Sequence, residues 1–163
     1  MMDVQNDLVD DERSRELAQR HAARSMLDQW WERLSERSST WDLETVKHLV
    51  VLNAAGLAGV ATLLAGAKLP HPKWIGAATL LGYGLGVALA ILNMYLASVS
   101  FGRMLNEVKS RMAEVGDLSK PIDHVYDRLT AGMRINVAGQ ICGWVSAILA
   151  IASTLAIGFS LVN

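Results

Sequence analysis

WIGAATLLGYGLGVALAILNMYLASVSFG, residues 74–102, contains no Asp, Glu, Lys, Arg or His. At about 1.5 Å per residue a helix of this length reaches well beyond the ~30 Å hydrocarbon core of a bilayer. Two further stretches, residues 49–67 and 135–163, are equally free of charge. A soluble helix rarely continues this long without a polar stripe, because one face normally meets water. The expected fold is therefore all-α: an integral membrane protein with three transmembrane helices, spanning about 46–67, 74–101 and 135–162. The first apolar run begins after an acidic leader that includes Asp3, Asp7, Asp10, Asp11 and Glu12, unlike a signal peptide, so that helix is expected to be a retained anchor.

Outward from these runs the chain divides by polarity. Residues 1–40 form an N-terminal segment in which Leu17, Ala23, Leu27, Trp30, Trp31 and Leu34 recur near helical spacing, with Arg13, Arg20, Arg24, Arg33 and Arg37 mostly on other faces. That is an amphipathic helix. Its Trp30-Trp31 pair fits either burial in the lipid interface or packing on another polar part of the chain. Residues 41–163 form the membrane domain. Ser39 and Asp42 suit a capping box at its start, and the two prolines of residues 68–73 enforce a turn between the first two spans. Periodicity continues beyond the second run through Met104, Leu105, Val108, Met112 and Val115, and Gly116-Asp117 ends it. Pro121 then suits a first helical turn, with Ile122, Val125, Leu129 and Met133 as an apolar stripe. Residues 102–134 are accordingly expected to be a cytoplasmic helical hairpin extending spans two and three.

Lys and Arg set the expected orientation. Residues 1–48 carry seven and residues 102–134 six, against two in residues 68–73 and none after Arg134. The positive-inside rule puts the N-terminus in the cytoplasm and the C-terminus outside, in the plasma (inner) membrane. Trp41 and Trp74 fall at the two water boundaries and are expected to be interfacial anchors.

Gly-Tyr-Gly-Leu-Gly at residues 82–86 resembles neither a nucleotide loop nor a potassium filter in context, because it lies within an unbroken apolar run. Small residues at every fourth position offer a better account. Ala78, Gly82, Gly86 and Ala90 form one stripe, Ala55 and Gly59 a second, and Gly139, Gly143 and Ala147 a third, each suited to close helix approach. Self-association is expected to use such grooves. Asn53, Asn93 and Gln140 each lie a few turns inside the nearest charge of their own run, so they are expected to share an intramembrane polar layer, as helix-joining amides or as a pore lining.

No arrangement of nucleophile and base or of metal ligands is apparent, and Cys142 stands alone. The chain is expected to be no enzyme and to need no cofactor. Net charge near zero offers no field for nucleic acid, so the expected partners are the lipid bilayer and either a second copy or an unidentified membrane protein. The expected role is packing and interaction, as a homo-oligomer or accessory subunit; the alternative is a pore-forming effector gated by its cytoplasmic helices.

Overall fold

A computed structural model describes residues 2–39, 41–66 and 74–162, with side chains described for 11–36, 44–66 and 74–162. The order is α1 (Met2–Ser39), α2 (Trp41–Ala65), α3 (Trp74–Gly116), one 3-10 turn (Asp123–Tyr126) and α4 (Met133–Val162). No strand occurs among the described residues. Residues 67–73 and Asn163 lie outside them, as do the side chains of Trp41 and of the Ser39–Asp42 capping box.

Three helices are long and apolar enough to cross a membrane: Glu44–Ala65, Trp74–Gly116 and Met133–Val162. α3 is the axis of the molecule, packing on α4, α2 and α1. Its first half runs antiparallel to α2 and α4. Its second half, beyond Gly102, carries Arg103, Lys109 and Arg111 and receives α1 instead. There Ala23 and Leu27 meet Val108 and Val115, with Trp30, Trp31 and Leu34 at the margin, and the Lys109 ammonium lies 5.2 Å from the Trp31 ring centre. The Trp30-Trp31 pair therefore packs on the chain's own polar extension. Leu17, assigned to the same stripe by its spacing, is 49% exposed, and the seam ends one turn later at Arg20.

Two buried arginines close this polar end. Arg20, 7% exposed, donates to the carbonyls of Val115, Asp117, Leu118 and Lys120 while Glu16 accepts from the same guanidinium at 2.9 Å. Arg111, 8% exposed, donates to the carbonyls of Val125, Asp127 and Arg128 and pairs with Glu107. The other Glu107 oxygen accepts from the N–H groups of Thr130 and Ala131 at 3.1 and 2.8 Å. A buried backbone must pair its polar groups, and here guanidinium and carboxylate groups do what a helical ladder would otherwise do.

This corrects the expected second arm of the hairpin. α3 does continue to Gly116, but residues 117–132 form an irregular strap with a single 3-10 turn. Pro121 lacks an N–H, the carbonyls are engaged by arginines, and Gly132 adopts φ +84° where its backbone meets Ser100. A Cβ at Gly132 would lie 2.6 Å from the Ser100 carbonyl oxygen, whereas the Ser100 hydroxyl now donates to the Gly132 carbonyl at 2.9 Å. Val125 is fully buried and Ile122 and Leu129 partly so as the strap folds onto α1 and α3, whereas Met133, assigned to the same stripe, is 51% exposed. The Ser119 hydroxyl, and next its backbone N–H, donate to Asp117 and hold that carboxyl below the usual aspartate range. Any stability from this turn is present at neutral pH and is lost as pH falls through the lowered value.

Arg20→Leu should leave four carbonyls without their shared donor, and the loss should be about 2–3 kcal/mol, since hydrogen bonds from charged groups exceed neutral ones. Denaturant or thermal unfolding in detergent, with limited proteolysis near Asp117, measures it. Arg20→Lys should recover only part, because an ammonium cannot reproduce the planar fork.

Candidate functional site

A buried polar tie joins the three helices of the apolar half. Ser146 on α4 donates to the Gly86 carbonyl of α3 at 2.8 Å, and the Asn53 amide on α2 donates to Ser146 Oγ at 3.2 Å and to Leu49 O at 2.9 Å. Asn53 and Ser146 are fully buried. A side chain at Gly86 would collide with the Asn53 amide, so glycine is what lets α2 reach this depth. One turn further, Gly56 makes room for the Tyr83 ring, whose hydroxyl lies 2.7 Å from Thr154 Oγ1, and Gly82 faces the Ser153 hydroxyl.

The small-residue stripes are thus divided. Gly86 and Ala90 are buried, Gly82 is half-buried and Ala78 is exposed. Gly139 and Gly143 are buried against Asn93, a Cβ at either lying 2.9 and 2.8 Å from its amide atoms. Ala55 and Gly59 face away from the bundle, with nothing within 4 Å of a Cβ at Gly59. Gly56, one position from the expected stripe, is the α2 glycine that meets α3; Ala54, Ala55, Ala58 and Gly59 around it are small as well, so spacing alone did not single it out.

The three amides do not form one layer. Asn93 and Gln140 line a groove between α2, α3 and α4, whereas Asn53 sits in the tie some 9–10 Å further along the helices. Asn53 and Gln140 lie ~9 Å and Asn93 ~15 Å from the nearest Lys or Arg of their own helices, but the tie offsets those charges. From the tie, α2 reaches Lys47 within ~9 Å, α4 reaches Arg134 only after ~18 Å and α3 reaches Arg103 after ~25 Å. α2 consequently presents charged residues beside charge-free stretches of its neighbours.

The groove occupies this mismatch. It has a volume of about 770 Å³ and is half open, with Asn93, Asn136 and Gln140 as amide lining and Leu49, Phe101 and Trp144 among its apolar walls. None of the three amides makes a side-chain hydrogen bond among the described residues. Trp144 is 73% exposed at the edge, and Trp74 is exposed at the opposite end of the bundle. Trp41 begins α2, its side chain being outside the described set. Asn136 was not among the sequence candidates, although its position one turn from Gln140 carried the signal.

Among the described residues no three His, Cys, Asp or Glu side chains gather as a metal site requires. His124 instead pairs with Glu114 at 2.8 Å on the polar extension.

Fold and site together define an all-helical chain, over the described residues, with three helices long and apolar enough to cross a membrane, joined by an interhelical polar tie beside a half-open amide-lined groove. No family model, no curated protein and no solved structure matches it.

Gly86→Ala should push Asn53 out of the tie and lower stability by about 1–3 kcal/mol, the usual cost of overpacking. Gly59→Ala should leave the chain's own stability unchanged or slightly raised, because the site is open and alanine favours helix. Paired melting curves in detergent decide this; equal losses would place both glycines in contacts.

Proposed function

We propose that this chain is a multi-pass protein of the plasma (inner) membrane, with a cytoplasmic N-terminus and an outside C-terminus, that acts through helix packing and interaction and not through catalysis. The carrying observation is the inside-out arrangement of its apolar half. Only 11%, 28% and 17% of the most apolar windows of α2, α3 and α4 are buried, while Leu81, Ile148, Ile151, Leu155 and Phe159 face outward. In water such a surface would drive association, whereas in a bilayer it is matched by lipid or by another helix. Lys and Arg, concentrated on α1 and in residues 102–134, support the orientation.

Within this reading the outward small face of α2, with Ala55 and Gly59, suits a second copy or a partner subunit, which makes the chain a homo-oligomer or an accessory subunit. The polar end, locked by Arg20 and Arg111, would face the cytoplasm. A pore-forming role is the second reading, favoured by the unpartnered amides of the groove, which could line a path in an oligomer. The amides bring no charge with them, which favours interaction over conduction.

Reporter fusions should place Asn163 and residue 70 outside and Gly116 inside; an inside C-terminus would overturn the three-span placement. Purified protein should then be oligomeric alone or associated with one defined membrane partner, and Gly59→Ile should disrupt that state without lowering the melting temperature of the chain. Dye release from liposomes by wild type, abolished by Asn93→Leu with Gln140→Leu, would transfer the reading to a pore.

A further inference from the structure

The groove between α2, α3 and α4 carries hydrogen-bonding side chains at successive levels, supplied by all three helices. Asn53, Gly86 and Ser146 meet in the tie and so give the three helices a common zero of depth. Measured from it along each helix towards the polar end, Ser98 stands ~18 Å away, Asn136 ~15 Å, Thr45 ~12 Å, Asn93 ~10 Å and Gln140 ~9 Å. No step between them exceeds ~3 Å, about one hydrogen-bond length. Ser98, Thr45 and Gln140 are exposed and Asn93 and Asn136 half-buried, so this ladder is open and not sealed within the bundle. Below Gln140 the lining continues only as Leu49, Gly143, Trp144 and Ala147, and the fully buried Asn53 and Ser146 follow. Beyond the tie lies the apolar cluster of Val60, Tyr83 and Ala150, so the groove is blind at that end.

On the membrane reading proposed above, on which this inference rests, exposed aromatic side chains mark the two boundaries. Trp74 and Tyr95, 68% and 65% exposed, stand ~31 Å apart along α3, close to the ~30 Å thickness of a hydrocarbon core. Tyr95 lies ~14 Å from Gly86 on the same scale. Ser98 and Asn136 are therefore above the inner boundary, Thr45 is near it, and Asn93 and Gln140 lie ~3–5 Å inside the core. Polar lining thus runs without a gap from headgroup depth into the acyl region. Water suits such a lining because, like the amides and hydroxyls, it both donates and accepts, and because the groove is roomy and open towards the polar end at Ser98 and Gly102.

We propose that the groove is a blind water inlet, which carries solvent from the polar end of the bundle along Ser98, Asn136, Thr45, Asn93 and Gln140 into the inner leaflet and ends before the tie. The inlet hydrates one side of the α3–α4 contact at a depth where the outward faces of the same helices meet acyl chains.

The test uses the full chain in phosphatidylcholine nanodiscs, with Cys142→Ala as background and single cysteines introduced one at a time. A charged methanethiosulfonate reagent modifies thiols that meet water, because the thiolate is the reacting form, and intact mass reports the rate. Asn93→Cys and Gln140→Cys probe the inlet. Ile91→Cys and Ile141→Cys probe exposed positions of the same two helices that lie outside the groove, ~7–8 Å from the tie, and Ser110→Cys, on the exposed face of the α3 extension, sets the rate in open water. The groove cysteines should react within about tenfold of Ser110→Cys, and the two isoleucine-site cysteines at least about tenfold more slowly than the groove pair. If Asn93→Cys fails to give a cooperative melt, Gln140→Cys decides, since Gln140 is exposed. Groove cysteines as slow as the isoleucine-site pair would mean that lipid or a second copy fills the groove, which overturns the inlet and leaves the membrane reading standing. Isoleucine-site cysteines as fast as Ser110→Cys would overturn the membrane placement too. Ala147→Cys reacting as fast as Gln140→Cys would overturn the blind end.

Discussion

At Gly86 the absence of a side chain brings α2 and α4 onto α3 at one level, with Asn53 and Ser146 filling the space a Cβ would take. Much of the remaining architecture follows from that contact. Apolar side chains alone would let three lipid-compatible helices slide along one another at little cost, because lipid tails and neighbouring helices are equally apolar. A buried amide joined to a buried hydroxyl and a specific carbonyl has only one register in which all three meet. Gly56 beside Tyr83, and the Tyr83–Thr154 hydroxyl pair, repeat the same register one turn away.

The groove follows from this register. Because α2 carries Lys47 so close to Asn53, its charged turn comes alongside portions of α3 and α4 that have no charge. Those portions include Asn93 and Gln140, whose amides have no hydrogen-bond partner among the described residues. Asn53 also keeps one amide oxygen without a hydrogen bond, packed against Gly86. The two situations differ physically. The Asn53 oxygen is sealed inside the bundle and is offset by the two bonds its nitrogen donates, whereas the groove amides remain accessible from one side.

At the polar end a different device gives order to a segment that cannot make its own ladder. Arg20 and Arg111 each reach several carbonyls of the strap, and Glu107 takes two of its N–H groups. Arginine suits this task because its five donors lie in one plane and remain charged, so one side chain can serve carbonyls that diverge from a turn. The arrangement also fastens α1 to the end of α3, since Arg20 belongs to the former and its acceptors to the latter and the strap. α1 is thereby coupled to the loop that connects the second and third apolar helices.

The sequence by itself determined that the chain is helical with three long apolar helices: charge-free runs about as long as a bilayer core or longer are visible without any contact being known, and so are the extension of α3 to Gly116 and the amphipathic seam containing Ala23, Leu27 and Trp31. These are local properties, set by periodicity and by where charges stop. Helix register was not legible, because it depends on which small residue of one helix meets which polar residue of another; Gly56 and Gly59 look equivalent in sequence, yet only Gly56 faces α3. The same limit explains why Asn53, Asn93 and Gln140, each within the apolar run of its own helix, separate into a buried tie and an open groove. It explains the strap too, where an apolar spacing that fits a helix is satisfied by irregular backbone once two distant guanidinium groups supply the missing donors. Tertiary structure decided these points because each requires partners from different helices to meet at one place.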